Sequence, residues 1–223
     1  MDFFQTTVSK KAISLAKKTL ESSFVSAGKV SIQFEKEFQK QIGVRNAVSL
    51  NSGTSSLHLG LHLMNLKKGD EVILPAQTFL ASGLAILMTG ATPVFCDIEY
   101  LSGNICIKSL EKKITSRTKA IMPIHYGGLP ADLGEINKIA KQNKLKVIED
   151  AAHALGSTYK EKPIGSISDF TAFSFQAIKQ VTAGDGGALC CKKISDYKRA
   201  KRLRWFGIDR EASKVSILWR KSF

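Results

Sequence analysis

Hydrophobic positions along the chain alternate between helical spacing and short continuous runs, and this alternation predicts repeated βα units. Between residues 9 and 22, Ala12, Leu15, Ala16 and Leu20 recur at intervals of three and four among lysines, which predicts an amphipathic helix ended by residues 25–28. Phe34, Phe38 and Ile42 then recur at intervals of four over residues 30–42, with Gly43 as the stop. A short strand at 47–50 leads through the polar turn Asn51-Ser52-Gly53-Thr54-Ser55 into a helix marked by Leu57, Gly60, Leu61 and Met64. Further strands are predicted at 71–74 and 93–96 around a helix at 79–88, then at 119–126, 147–150, 171–175 and 188–191. Leu133, Ile136, Ile139 and Ala140 put a helix at 132–142 after Pro130, and Tyr197, Ala200 and Leu203 mark a last one with a basic opposite face. Continuous apolar strands separated by helices predict an α/β fold of three layers, a mostly parallel sheet flanked by helices.

At 223 residues and 43% hydrophobic content, the chain can bury one sizeable core. Its net charge of +14 suits an anionic partner, either nucleic acid or a pyrophosphate-linked molecule. Much of the excess lies in Lys17, Lys18, Lys112, Lys113 and residues 198–204, where a solvated helix face is the preferred reading. No zinc-finger spacing, basic zipper or aromatic RNA-binding motif is present, so nucleic acid is not the expected partner. Cys96, Cys106, Cys190 and Cys191 show no paired metal spacing, and three of them sit in apolar strand-like runs, so all are expected to be reduced and structural. His58 and His62 stand four apart without an acidic third ligand, and no metal is expected. Residues Met1-Asp2-Phe3-Phe4-Gln5 lack a basic region followed by a long apolar stretch, and no run reaches the length of a membrane span. A cytoplasmic protein without a membrane partner is the expectation.

The chemistry concentrates in residues 147–187. The apolar run Val147-Ile148-Glu149-Asp150 ends in acids, and a buried strand ending so places a carboxylate at the mouth of an α/β sheet, where ligands of such folds bind. Thr171-Ala172-Phe173-Ser174-Phe175 then carries the chain toward Lys179 and the glycine-rich Thr182-Ala183-Gly184-Asp185-Gly186-Gly187. A carboxylate, a hydroxyl and an amine in one segment suit pyridoxal phosphate, whose ring nitrogen must stay protonated and whose aldehyde must be held by a lysine. Asp150 would keep the pyridinium charged, Lys179 would hold the aldehyde and later move a proton, and Ser174 would bind a phosphate oxygen. Spacing alone leaves open a loop-capping acid and a solvated surface lysine.

The motifs Glu149-Asp150-Ala151-Ala152-His153-Ala154, Phe173-Ser174-Phe175-Gln176-Ala177-Ile178-Lys179 and Gly184-Asp185-Gly186-Gly187 resemble the signature of the DegT/DnrJ/StrS family. The match continues upstream in Val25-Ser26-Ala27-Gly28, Asn51-Ser52-Gly53-Thr54, Gly69-Asp70-Glu71-Val72-Ile73-Leu74-Pro75, Gly90-Ala91-Thr92-Pro93-Val94-Phe95 and His125-Tyr126-Gly127-Gly128-Leu129-Pro130-Ala131-Asp132. These motifs occur in order over most of the chain. The family consists of fold-type-I, pyridoxal-phosphate-dependent aminotransferases that act on nucleotide-linked keto sugars.

The resemblance implies a catalytic pair, Lys179 and Asp150, and a cofactor site of Gly53, Thr54, Phe79, Asp150, His153, Ser174 and Lys179. In it Gly53, Thr54 and Ser174 hold the phosphate, Phe79 stacks on the pyridine ring and His153 meets the phenolic oxygen. His125, at the end of its predicted strand, is expected to point toward the same mouth as Asp150, with a supporting role at most. The retained lysine argues against the related dehydratases, which replace it with histidine. The implied substrates are a nucleotide-linked keto sugar and an amino-acid donor, glutamate first, and the implied assembly is a homodimer. Residues 1–210 resemble the cofactor-binding large domain, with helices in residues 1–45 packed on it. Residues 211–223 are left unassigned, and the smaller C-terminal domain of the family is expected to be absent from this chain. Two alternatives stand beside this one: a lyase or desulfurase using the same cofactor, which would need a mobile nucleophilic cysteine, and a non-catalytic cofactor- or anion-binding remnant.

Overall fold

The computed structural model describes residues 5–22 and 24–209. The expectations for residues 1–4, Arg210 and the tail 211–223 lie outside the described residues. The chain begins with α1 (Lys10–Leu20) and α2 (Lys29–Ile42) and then enters β1 (Ala47–Leu50), α3 (Gly53–Leu63), β2 (Glu71–Pro75), α4 (Leu80–Leu87) and β3 (Thr92–Cys96). It continues through α5 (Ile107–Lys113), β4 (Thr118–Ile121), α6 (Leu133–Gln142), β5 (Lys146–Asp150), a small hairpin of β6 (Thr158–Tyr159) and β7 (Lys162–Pro163), β8 (Phe170–Ser174), β9 (Gly187–Cys191) and α7 (Ile194–Leu203).

Seven strands form one sheet in the order β1-β9-β8-β5-β4-β2-β3, with every neighbouring pair parallel except those made by β9. Six strands therefore end on one edge, and β9 starts there. Strands β2, β8 and β9 are buried at every residue, which explains their unbroken apolar sequences: both faces of the sheet are covered. Alternate residues serve opposite faces. Val72, Leu74, Ile148 and Leu189 pack beneath Leu57 and Leu61 of α3, Ile86 of α4 and Ala200 of α7. On the other face, Ile73, Ile121 and Val147 meet Leu110 of α5 with Ile136 and Ile139 of α6, while Phe173 meets Phe38 of α2 and Leu133 of α6. The expected three-layer α/β architecture with a mostly parallel sheet is what forms.

Differences are local. The strand expected over 119–126 occupies only Thr118–Ile121. Pro123 has no N–H for a ladder, so the chain leaves the sheet there, keeping a bridge from Ile124 to Asp150. Helix α5, seven residues long, offers too short a period to be read. The β6–β7 hairpin turns on Lys160 and Glu161, both at positive φ (48° and 65°), without the glycine or asparagine that normally marks such a turn. Helix α2 ends at Gly43 in the left-handed conformation (φ 73°) and buries Glu35 and Phe38. Helix α1, capped by Ser9, buries none of its residues.

Candidate active site

The residues singled out from the sequence gather on the edge where the parallel strands end. Asp150 is the last residue of β5 and Ser174 the last of β8. Gly53 and Thr54 open α3 just past β1, and Phe79 is the residue on which α4 starts, beyond β2. His153 lies three residues past β5, and Lys179 lies in the connection between β8 and β9. One sheet edge thus collects groups separated by more than a hundred residues of sequence.

The start of α3 is built for an anion. The Ser52 hydroxyl accepts the N–H of Ser55 at 3.0 Å, while the N–H groups of Gly53 and Thr54, the first two of the helix, have no intrahelical acceptor. Those donors stand at the positive end of the helix dipole. Ser174 closes over them: a Cβ at position 53 would stand 2.8 Å from the Ser174 Cβ and 3.1 Å from its Oγ. Gly187 opens β9 equally close, since a Cβ there would fall 2.3 Å from the Ser52 carbonyl oxygen. Only glycine permits this approach of helix start to strand ends.

Asp150 is 7% exposed and fixed through both carboxylate oxygens. The Ala152 N–H donates to Oδ1 at 3.1 Å, and the Ser82 hydroxyl of α4 donates to Oδ2 at 2.7 Å. Its backbone is tied as well, donating to the Pro123 carbonyl and accepting from the His125 N–H. Beneath it lies a second buried acid, Glu149, which accepts the Ser168 N–H at 3.1 Å and meets His125 Nε2 at 2.9 Å. His125 Nδ1 accepts the Ala131 N–H, so its proton sits on Nε2 and is donated to Glu149. Both ring nitrogens are occupied and the side chain is fully buried, so His125 braces the strand ends and does not face the mouth, contrary to the expectation from its place at a strand end.

Lys179 and His153 line an open pocket of about 380 Å³ with Gly127, Ile178 and Gln180. Burial holds the Lys179 amine below the ordinary lysine range, with the Asp150 charge pulling the other way. Burial likewise lowers His153, the Lys179 charge adds to the effect and Asp150 opposes it. The three groups are therefore within electrostatic reach of one another. The Gln180 amide donates to the His153 carbonyl, and the Tyr126 ring stands edge-on to His153 at 6.5 Å. Phe79, 79% exposed, stands free at the rim. Sequence reasoning missed Ser82 and Thr78, because nothing in a pair of hydroxyls four apart ties them to an acid 68 residues away.

An anion cradle at a helix start, a buried carboxylate and a lysine of lowered basicity on one edge of a parallel sheet fit pyridoxal phosphate. Comparison with known proteins agrees. Residues 6–219 match the DegT/DnrJ/EryC1/StrS aminotransferase family, and the chain belongs to it. Its relatives include the spore coat polysaccharide biosynthesis protein SpsC of Bacillus subtilis, 46% identical over 88% of this chain and 50% of its own length. The GDP-perosamine synthase of Caulobacter vibrioides is 41% identical over 82% of this chain and 50% of its own. Among solved structures, the Streptococcus pneumoniae protein Spr1654 in its PLP form superposes with a TM-score of 0.88 and 32% identity, over 93% of this chain and 58% of its own. The chain spans about half the length of the curated relatives it matches. The family is one of sugar aminotransferases that use pyridoxal phosphate.

Proposed function

We propose that this chain carries the cofactor-binding domain, residues 1–210, of an aminotransferase that moves an amino group from glutamate to a nucleotide-linked keto sugar. The observation that carries the proposal is the convergence of Lys179, Asp150 and the α3 start on one sheet edge. Pyridoxal phosphate, when bound, supplies an electron sink for the carbon that bears the amine. The chain's own residues do the rest. Gly53 and Thr54 give their N–H groups, and Ser174 its hydroxyl, to the phosphate. Phe79 packs on one ring face. Asp150 would hold a proton on the ring nitrogen, and His153, whose basicity burial lowers, would present a ring nitrogen to the phenolic oxygen. Lys179 would be the residue that holds the aldehyde, and its amine would be the group placed to move a proton at the substrate carbon. Its lowered basicity enlarges the neutral, nucleophilic fraction.

The reading extends to a homodimer in the cytoplasm. Leu80, Leu84, Leu87 and Met88 expose an apolar stripe on α4, which supports association. Burial pushes the thiols of Cys96 and Cys191 up to about 12, which suits unreactive structural cysteines in a reducing compartment. The decisive experiment adds pyridoxal phosphate to the purified chain and follows the visible-edge absorbance, then titrates glutamate. A band that glutamate discharges is expected, and Lys179→Ala should abolish it with the far-UV spectrum unchanged. A folded chain that never develops the band, or a Lys179→Ala variant that keeps it, would overturn the assignment.

A further inference from the structure

Deepening the proposed reading, and resting on it, we infer that Ser82 and Thr78 form a two-hydroxyl relay that positions Asp150 and sets how strongly it holds the cofactor's ring nitrogen. Ser82 is fully buried on α4, and its hydroxyl lies 2.7 Å from Asp150 Oδ2 and 2.7 Å from Thr78 Oγ1. The direction of both bonds follows from proton counting. An ionised carboxylate only accepts, so Ser82 spends its single proton on Asp150, and Thr78 must donate to the Ser82 oxygen. Two hydroxyl dipoles in series point at one carboxylate oxygen, and such chains polarise one another.

A serine in a helix commonly bonds back to the carbonyl four residues earlier or turns toward solvent. Ser82 reaches instead across 68 residues of sequence to another element. Together with the Ala152 N–H on Oδ1, it gives each oxygen one donor, so the carboxylate plane is fixed while lone pairs remain for a ring N–H. Thr78 directly precedes Phe79, so one turn before α4 supplies both the aromatic for the ring face and the relay for the ring nitrogen's partner. These are positioning residues, since they act through Asp150.

The test uses the full chain loaded with pyridoxal phosphate and four proteins: wild type, Ser82→Ala, Ser82→Thr and Thr78→Val. Two quantities are read, the pH midpoint of the visible-edge band and the dissociation constant of pyridoxal phosphate, with urea unfolding alongside. Without the Ser82 donor, the Asp150 carboxylate is free to turn, so its charge would no longer be fixed opposite the ring nitrogen, and a ring held less firmly as the cation would let Lys179 Nζ keep its proton to higher pH. Ser82→Ala should therefore raise the midpoint and weaken cofactor binding by up to about tenfold, since only the part of this hydrogen bond's energy that depends on the cofactor being bound is lost from the affinity. Ser82→Thr should restore both, and Thr78→Val should move both in the same direction by less. If Ser82→Ala lowers urea stability but leaves midpoint and affinity at wild-type values, the hydroxyl only fills space and the inference falls while the aminotransferase reading stands. A wild-type chain that forms no band overturns both.

Discussion

A single methyl group tests how closely the anion cradle is fitted. Gly53→Ala would set a Cβ 2.8 Å from Ser174 Cβ, closer than such atoms approach, so Ser174 must shift. Overpacking of this kind costs about 1–3 kcal/mol, and the displaced hydroxyl should also weaken pyridoxal phosphate binding. Gly83→Ala is the control: its Cβ would meet nothing nearer than Phe95 Cζ at 3.8 Å, and alanine should stabilise α4 by up to about 1 kcal/mol. Equal urea midpoints for the two variants would contradict the packing described. His153 predicts a pH dependence. Its native value lies below its ordinary 6.5, so the unfolded chain binds more protons in that window and stability rises with pH. Stability should be intact above about 6.5 and decline as pH falls toward the lower native value. His153→Gln should flatten the decline, leaving the part due to His58, which burial and His62 lower in the same way. Denaturation midpoints between neutral and mildly acid pH decide it. At this scale the sequence singles out Lys179, Asp150 and Ser174 because each sits in an ordered motif, and the structure sets all three at one sheet edge, whereas Ser82 acquires its meaning only when α4 is laid beside β5.

Elements were legible in proportion to their length and regularity. Helices α2 and α6 carry their inward residues at intervals of three and four over ten residues or more, and both form within one residue of the expected bounds. Strands β2, β5, β8 and β9 are buried on both faces and announce themselves as apolar runs. What escaped depends on contacts distant in sequence: α5 is held by Leu110 in the core, and the β6–β7 hairpin by Tyr159, whose hydroxyl bonds Asp132. The same holds for the joint between α2, β1 and α7. Glu35, 5% exposed, accepts the Ser49 N–H at 2.9 Å, the Ser49 hydroxyl at 2.8 Å and the Arg204 guanidinium, which also donates to the Ser49 carbonyl. Removing one partner of such a buried pair leaves the other uncompensated. Glu35→Ala should cost about 3 kcal/mol, and a double-mutant cycle with Arg204→Ala should show coupling of about 1 kcal/mol or more. Additive losses in urea unfolding would show that the contact is incidental.

For the molecule as a whole, the outer surface of α4 is a feature of the described residues that the chain does not satisfy by itself. The helix is apolar almost all round, which is the mark of a buried helix. Its inner side packs Ala85 and Ile86 into the core and presents Ser82 to Asp150, yet Leu80, Leu84, Leu87 and Met88 remain 44–69% exposed beside Phe95 of the edge strand β3. A second copy of this chain is the occupant proposed, because a two-fold axis brings the same stripe from both partners together. Leu84→Glu with Leu87→Glu places charges in that stripe without touching the core. Sedimentation of the wild-type chain should show a dimer, and the double variant should be a folded monomer. The two sides of α4 belong to one rigid helix, so loosening its outer contacts should also be felt at Asp150: the monomeric variant should bind pyridoxal phosphate more weakly than wild type. Wild-type chain that stays monomeric as its concentration is raised would assign the stripe to other polypeptide. A monomeric variant with undiminished cofactor affinity would instead confine the effect of association to the outer face of α4.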